Sequence, residues 1–364
     1  MKSRWLKVKK LLKAEKCDAL LVINAENNGQ PGTRYLSGFS GSSSVLLITK
    51  EKKILVTDSR YTVQVRQEAK GFEVTILKPR ETFRVILKHL AAKLHLKKIL
   101  IDGGITSYAS VESLKKAVPK MKVTSKNGLL QELRIVKDKQ EIALLKKAAA
   151  IASRAFLKFL PSVKAGVLEK SLAARLEAIC KEEGADKMAF DTIVASGGRA
   201  ALPHARPSGK KLRKGELVVI DWGVRYQGYV SDMTRTIAIG KIAPRLREIY
   251  EAVRGAQERG CQAARAGLPA RALDAACRET LKEHGLEKYF AHAAGHGIGM
   301  EIHELPVVGP KQNEPLPAGA VITCEPGVYI PRLGGARIED SLIITKRGVV
   351  SLTKALTKKL IIIN

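Results

Sequence analysis

The spacing of apolar residues divides the chain into two regions of different texture. Through the first 130 or so residues, short apolar runs alternate with amphipathic stretches. Runs at 19–23, 45–49, 54–57, 74–77 and 99–102 read as strands, and 1–16, 61–69, 83–94 and 111–117 as helices. That alternation predicts an α/β domain over residues 1–130. Beyond 134–139 the pattern changes to longer helices. A long helix is expected from Asp138, an N-cap residue with Glu141 three positions on, to about 160, and a second at 168–183. A further pair is expected at 245–264 and 270–284. Gly166 and Gly184 bracket the second helix of the first pair as Gly267 and Gly285 bracket that of the second, at the same spacing. Strand-rich, glycine-rich sequence follows each pair. Residues 138–364 therefore read as an α+β domain with an internal pseudo-twofold duplication, and such an arrangement places a site in the cleft between its halves.

Within 216–240 the pattern is that of a β-hairpin. Val218, Val219 and Ile220 lead in, Gln227-Gly228 has turn chemistry, and 234–239 leads out. Asp221 and Asp232 lie on the two strands. A turn centred on Tyr226-Gln227 makes them face each other, and a shift of one residue makes them diagonal. Either register puts both on one face, with Cβ atoms roughly 5–8 Å apart. Two carboxylates so close among apolar residues stay ionised only with positive charge between them, which points to a divalent cation.

The second half of the domain adds matching chemistry. His296 stands among glycines 295, 297 and 299. Glu325 follows the apolar run 320–323, and Glu339 lies in ARIEDSLIIT. PGVYIPRLGG between them has the character of a hairpin loop, so Glu325 and Glu339 are expected to pair across strands. Asp340 alternates to the opposite face, where its substitution is expected to cost far less activity than that of Glu339. Two Asp, two Glu and one His suit two ions with mostly oxygen ligands, such as manganese or cobalt, better than a thiolate-bound structural zinc.

Composition narrows the partners. No run of 18 apolar residues occurs, and the basic N-terminus lacks the apolar core of a secretory signal, so no membrane span is expected. The five cysteines are scattered with no CxxC, as expected of reduced thiols in a cytoplasm. The net charge of +29 raises the alternative of a catalytically inert nucleic-acid-binding protein. Its Lys and Arg residues are dispersed, however, and the clusters at 7–10 and 210–214 lack interleaved aromatics. A solvated basic surface is the better reading, and the five ligand-type residues argue against an inert protein.

Three segments carry a resemblance: PHARPSGKKLRKGELVVIDWGVRYQGYVSDMTRT, GHGIGMEIHELP and ITCEPGVY…GGARIED. They resemble the dimetal peptidases of the pita-bread fold, a family that includes aminopeptidase P, prolidase, methionine aminopeptidase and creatinase. The similarity spans 138–364. YLSGFSGSSSVLLIT and VTDSRYTVQ resemble the extra N-terminal domain of aminopeptidase P, prolidase and creatinase. The resemblance implies that Asp221 holds one metal, that Asp232 and Glu339 bridge two, and that His296 and Glu325 complete the ligands of the second metal. It implies a hydroxide between the metals as nucleophile, with Glu325 as proton shuttle. His204, His292 and His303 become substrate-side residues, and Arg337 shares the face of Glu339 to steady that carboxylate or a substrate group. Ala293-Ala294, Trp222 and Cys324 depart from the usual pattern without removing a ligand. The implied activity is cleavage of an Xaa-Pro bond in a peptide with proline second. GFSGS and DSRY tip the expectation to an aminopeptidase, with an Xaa-Pro dipeptidase as the alternative. Manganese, with cobalt or zinc as alternatives, and a homodimer are also implied.

Overall fold

The computed structural model describes residues 2–26 and 30–364, so Met1 of the predicted first helix lies outside the described residues. It divides into two compact units, Met1–Leu133 and Arg134–Asn364. Among the described residues no helix is long and apolar enough to cross a membrane.

The first unit is built on six strands: β1 Ala19–Asn24, β2 Ser44–Thr49, β3 Lys53–Thr57, β4 Glu73–Ile76, β5 Lys98–Asp102 and β6 Lys122–Lys126. They form one sheet in the order β4-β3-β2-β1-β5-β6. The β1–β2–β3 ladders are antiparallel and the outer ones parallel. Its helices are α1 Lys2–Ala14, α2 Pro31–Ser37, α3 Thr62–Glu68, α4 Phe83–Lys93, α5 Tyr108–Ala117 and α6 Leu129–Arg134. Alternate residues Leu21, Val45, Leu47, Val56, Ile99 and Ile101 bury one sheet face against Leu87 of α4 and Leu114 of α5. The apolar pattern misses β6, because KVTSK is a partly exposed edge strand with a single aliphatic residue. It also misses α2, whose opening Pro-Gly reads as a turn. There Pro31 occupies the first helical turn, the Gln30 side chain accepts Gly32 N–H, and Gly38 closes the helix at φ 84°.

The second unit begins with α7 Lys139–Phe159 and α8 Glu169–Glu182. Asp138 accepts Glu141 N–H at 2.9 Å while its own N–H donates to Glu141 at 2.9 Å, a complete capping box. β7 Lys187–Met188, β8 Ile193–Ser196, β9 Leu217–Trp222, β10 Val224–Tyr226, β11 Tyr229–Val230 and β12 Met233–Ile239 follow. Then come α9 Pro244–Ala263, α10 Arg271–Glu283, β13 Gly295–Gly297, β14 Glu304–Val308 and β15 Val321–Cys324. The chain ends with β16 Gly327–Ile330, β17 Gly334–Arg337, β18 Asp340–Thr345, β19 Gly348–Ser351 and β20 Ile361–Ile363.

The two larger sheets are β20-β12-β9-β8 and β14-β13-β15-β18-β19, with β11-β10-β7 and β16-β17 as smaller ones. Each larger sheet buries an apolar face under its own helix pair, α7/α8 on the first and α9/α10 on the second. The duplication extends to detail. Gly166 and Gly267 both have φ 87°, their N–H groups donate to Leu212 and Leu316 carbonyls, and the bridges Leu168–Lys211 and Pro269–Pro315 follow.

The acidic hairpin is split into two ladders. β9 pairs with β12, placing Asp221 opposite Thr234, and β10 pairs with β11 around Tyr226–Tyr229. Gln227 at φ 46° and Gly228 at φ 86° form the turn. Asp221 and Asp232 are therefore diagonal, not directly opposed. Gly223 makes the break possible, since a Cβ there would lie 2.1 Å from the Ser231 carbonyl oxygen.

Candidate metal centre

All five predicted ligand residues converge from these irregularities. Asp221 is on β9, Asp232 just precedes β12, and His296 is the middle of β13. Glu325 follows β15 and Glu339 precedes β18. The β15–β18 pair Cys324–Asp340 and the β16–β17 pair Gly327–Arg337 keep one register, so Glu325 falls opposite Glu339 in the gap between ladders. Glu339 N–H donates to Thr234 O at 3.1 Å, and Thr236 exchanges hydrogen bonds with the Arg337 backbone at 2.9 and 3.1 Å. These contacts join the two sheets.

The ligand atoms of Asp232, His296 and Glu339 all lie within 4.8 Å of one another. His296 Nε2 is 3.5 Å from Asp232 Oδ2 and 3.3 Å from Glu325 Oε1. Its Nδ1 lies 3.1 Å from Gly297 O, an arrangement in which Nδ1–H donates and the Nε2 lone pair faces the carboxylates. Burial lowers the pKa of His296, which favours the neutral, ligating form. Gly295 lets β13 approach, since a Cβ there would be 2.2 Å from Thr323 O.

The electrostatics call for a cation. Burial, then the like charges of neighbouring carboxylates, pushes Asp232 and Glu339 well above the usual carboxylate range. Burial also raises Glu325, against the opposing pull of His292 and Arg337. Arg337, 3% exposed, is committed to Asp221 Oδ2 at 2.6 Å. Asp221 Oδ1 and Glu339 Oε1 are buried with no hydrogen-bond partner. Two orphaned carboxylate oxygens beside a neutral imidazole form a cradle for divalent cations, and the residues present fit that group.

The residues expected on the substrate side are less uniform. His292 Nε2 is 3.0 Å from the Tyr329 hydroxyl, which accepts from Arg337 Nη1 at 2.8 Å. The His303 ring meets the His296 ring edge-on at 4.4 Å between centroids. His204 is exposed after the turn Gly197–Ala201, close enough that its charge contributes to lowering the pKa of His292 and His303 after burial has done so. Arg337 lies on the face of Glu339. It bonds Asp221 directly and reaches Glu339 only through the Thr234 hydroxyl, at 3.1 and then 2.8 Å. Arg337 ends β17 and Glu339 precedes β18, two positions apart, and both side chains reach the Thr234 hydroxyl, as residues sharing one face do. Thr234 and Tyr329 had no predicted role. The Asp-x-Thr spacing in SDMTRT was the one available signal for Thr234, since it places the hydroxyl two residues after Asp232, which just precedes β12.

A sequence profile described as "Metallopeptidase family M24" matches residues 143–346, more than half the chain. The chain belongs to metallopeptidase family M24. This M24 peptidase also matches the "Creatinase/Prolidase N-terminal domain" over residues 4–136. It is 38% identical over 356 residues to an Xaa-Pro dipeptidase of Pyrococcus furiosus, covering 97% of this chain and 98% of that one. The solved Xaa-Pro dipeptidase from Bacillus anthracis superposes with a TM-score of 0.94 at 37% identity, covering 99% of each chain. The X-Pro aminopeptidase from Thermotoga maritima gives 0.91 at 38% identity, covering 96% of this chain and 100% of that one. The M24 chain is thus a pita-bread metallopeptidase with a creatinase-type N-terminal domain, and a hydrolase.

Proposed function

We propose that this M24 peptidase is an Xaa-Pro dipeptidase that uses two divalent ions, manganese first among them, with cobalt and zinc as alternatives. The observation that carries the reading is the cluster of Asp232, His296 and Glu339, with Glu325 3.3 Å from His296 and orphaned carboxylate oxygens on Asp221 and Glu339. Relatives named Xaa-Pro dipeptidase over nearly the full chain support the substrate class. The expectation of an aminopeptidase rested on GFSGS and DSRY. In the fold those segments bond each other or nearby side chains: Ser42 Oγ meets Tyr61 OH at 2.7 Å, and Asp58 pairs with Arg60. Their role within the unit leaves peptide length open, and the relatives favour the dipeptidase.

In this reading Asp221 serves one ion, Asp232 and Glu339 serve both, and His296 and Glu325 complete the other. When bound, such ions acidify water and polarise a carbonyl. Glu325, raised by burial, takes the proton from the attacking water and returns it to the leaving amine. His303, with His204 at the rim, donates hydrogen bonds to the peptide carbonyl as negative charge develops, while His292, its ring nitrogens engaged by Ala293 O and the Tyr329 hydroxyl, lines the substrate side. Arg337 holds the orientation of Asp221 through the 2.6 Å bond. The reading extends to a homodimer, by family resemblance, and to a cytoplasmic setting, supported by five free cysteines.

The test compares Xaa-Pro dipeptides with Xaa-Pro-Yaa peptides in manganese, cobalt and zinc. Faster dipeptide turnover is expected. Preference for the longer peptides would restore the aminopeptidase, and inactivity on both would remove the class. Salt-sensitive nucleic-acid binding by an inactive protein would favour the basic binding module. A monomer at micromolar concentration in light scattering would count against the dimer.

A further inference from the structure

We infer that Asp274, outside the metal centre, is a positioning residue for His292 and Glu325. The inference rests on the proposed reading for the roles of those two residues. Asp274 lies in the first turn of α10 and is 1% exposed. Its Oδ1 accepts the Ala294 N–H at 3.0 Å, and its Oδ2 accepts Arg278 Nε–H at 2.7 Å. Arg278 in turn donates to His292 O at 2.7 Å and Phe290 O at 3.1 Å. The backbone on both sides of the His292 ring is therefore held by one helical ion pair. The same peptide reaches the metal side, because Ala294 O accepts the Glu325 N–H at 2.9 Å.

The physical effect is orientation. With its backbone fixed, the His292 ring lies edge-on to Phe290 at 4.9 Å and meets Tyr329 OH at 3.0 Å. Loosening Ala294 lets His292 and Glu325 shift together, and catalysis is sensitive to displacements of this kind. The other half of the duplication carries a counterpart. Buried Glu169, first residue of α8, accepts Ser196 N–H at 2.8 Å and Ser208 N–H at 3.1 Å. Those two serines bracket the loop that presents His204. Each half thus uses a buried acid in the first turn of its second helix to fix the base of a histidine-bearing loop.

The test uses Asp274→Asn and Arg278→Gln in the full chain, with Thr280→Val on the same helix as a packing control. Thermal melts establish folding. Histidine-labelled protein, metal-free and zinc-loaded, gives an NMR imidazole signal for His292, assigned with His292→Gln. Folded Asp274→Asn should move that signal and lose about tenfold or more in kcat, with KM held within about twofold. Arg278→Gln should do the same to a smaller degree, and Thr280→Val should lower the melting temperature without moving the signal. If Asp274→Asn does not fold, Arg278→Gln decides by the same criteria. An unmoved His292 signal, or an unchanged kcat in an active enzyme, overturns the inference. If the wild type cleaves no Xaa-Pro dipeptide, the dipeptidase reading falls, and the imidazole signal alone decides whether Asp274 positions His292.

Discussion

Arg235 and Asp340 form a buried ion pair of 2.8 Å immediately behind Glu339. Arg235 also donates to the Glu339 carbonyl at 2.6 Å, and Lys358 reaches the other oxygen of Asp340 at 2.9 Å. Asp340 does point away from the metal face, yet it is no mild substitution site. Burial by itself would raise its pKa, but Arg235, Lys358 and Thr353 hold the carboxyl down to about 2. Asp340→Asn should lower stability by about 3 kcal/mol or more, because it leaves Arg235 buried without its countercharge. Because the folded pKa lies below the unfolded value, the ionised form of Asp340 contributes about 2 kcal/mol at neutral pH. That contribution is lost as pH falls from about 4 through 2. Denaturant melts across that range check both statements, and an unchanged midpoint would refute them.

Glu339→Gln should leave the fold in place and abolish turnover. Gln keeps the shape and a partner for the Thr234 hydroxyl but removes the negative charge carried by the orphaned Oε1. Manganese titration calorimetry should show one binding event fewer, and dipeptide hydrolysis should fall by more than about a hundredfold. Full metal content with near-native turnover would show that Glu339 is not a ligand.

Metal and pH should act together on stability. In the metal-free protein Asp232 and Glu339 have pKa values raised by burial and by like charge. Raised carboxyls cost stability above their unfolded pKa, and the cost is relieved as pH falls and they protonate. A cation favours the ionised form, so its binding releases protons and strengthens with pH. Added manganese should raise the melting temperature near neutral pH and do so much less at about pH 5. Equal shifts at both would contradict the carboxylate cradle.

Gly223→Ala should impair both folding and metal affinity. Its Cβ would meet the Ser231 carbonyl oxygen at 2.1 Å and Phe190 at 2.7 Å, between Asp221 and Asp232. Overpacking of this kind costs about 1–3 kcal/mol. Thermal melts with and without manganese measure both effects, and a neutral outcome would mean that the ladder break tolerates a side chain.

The amino-acid sequence by itself determined the alternation of β1 to β5 with helices, the capping box at Asp138 and Glu141, and the two glycine-punctuated helix pairs. These follow from local forces: periodic burial, end-capping hydrogen bonds and positive-φ turns. It also singled out the five candidate ligands, because acids and a histidine framed by apolar residues and glycine stand out against a basic chain. Only the tertiary structure decided that Asp221 is diagonal to Asp232, since the register depends on the turn falling at Gln227-Gly228, and both ladders keep it across Gly223. It also decided that Arg337 serves Asp221 and that Asp340 is locked into an ion network. The partners of those side chains come from segments 116, 105 and 18 residues away in sequence, and no local periodicity encodes which of them will meet.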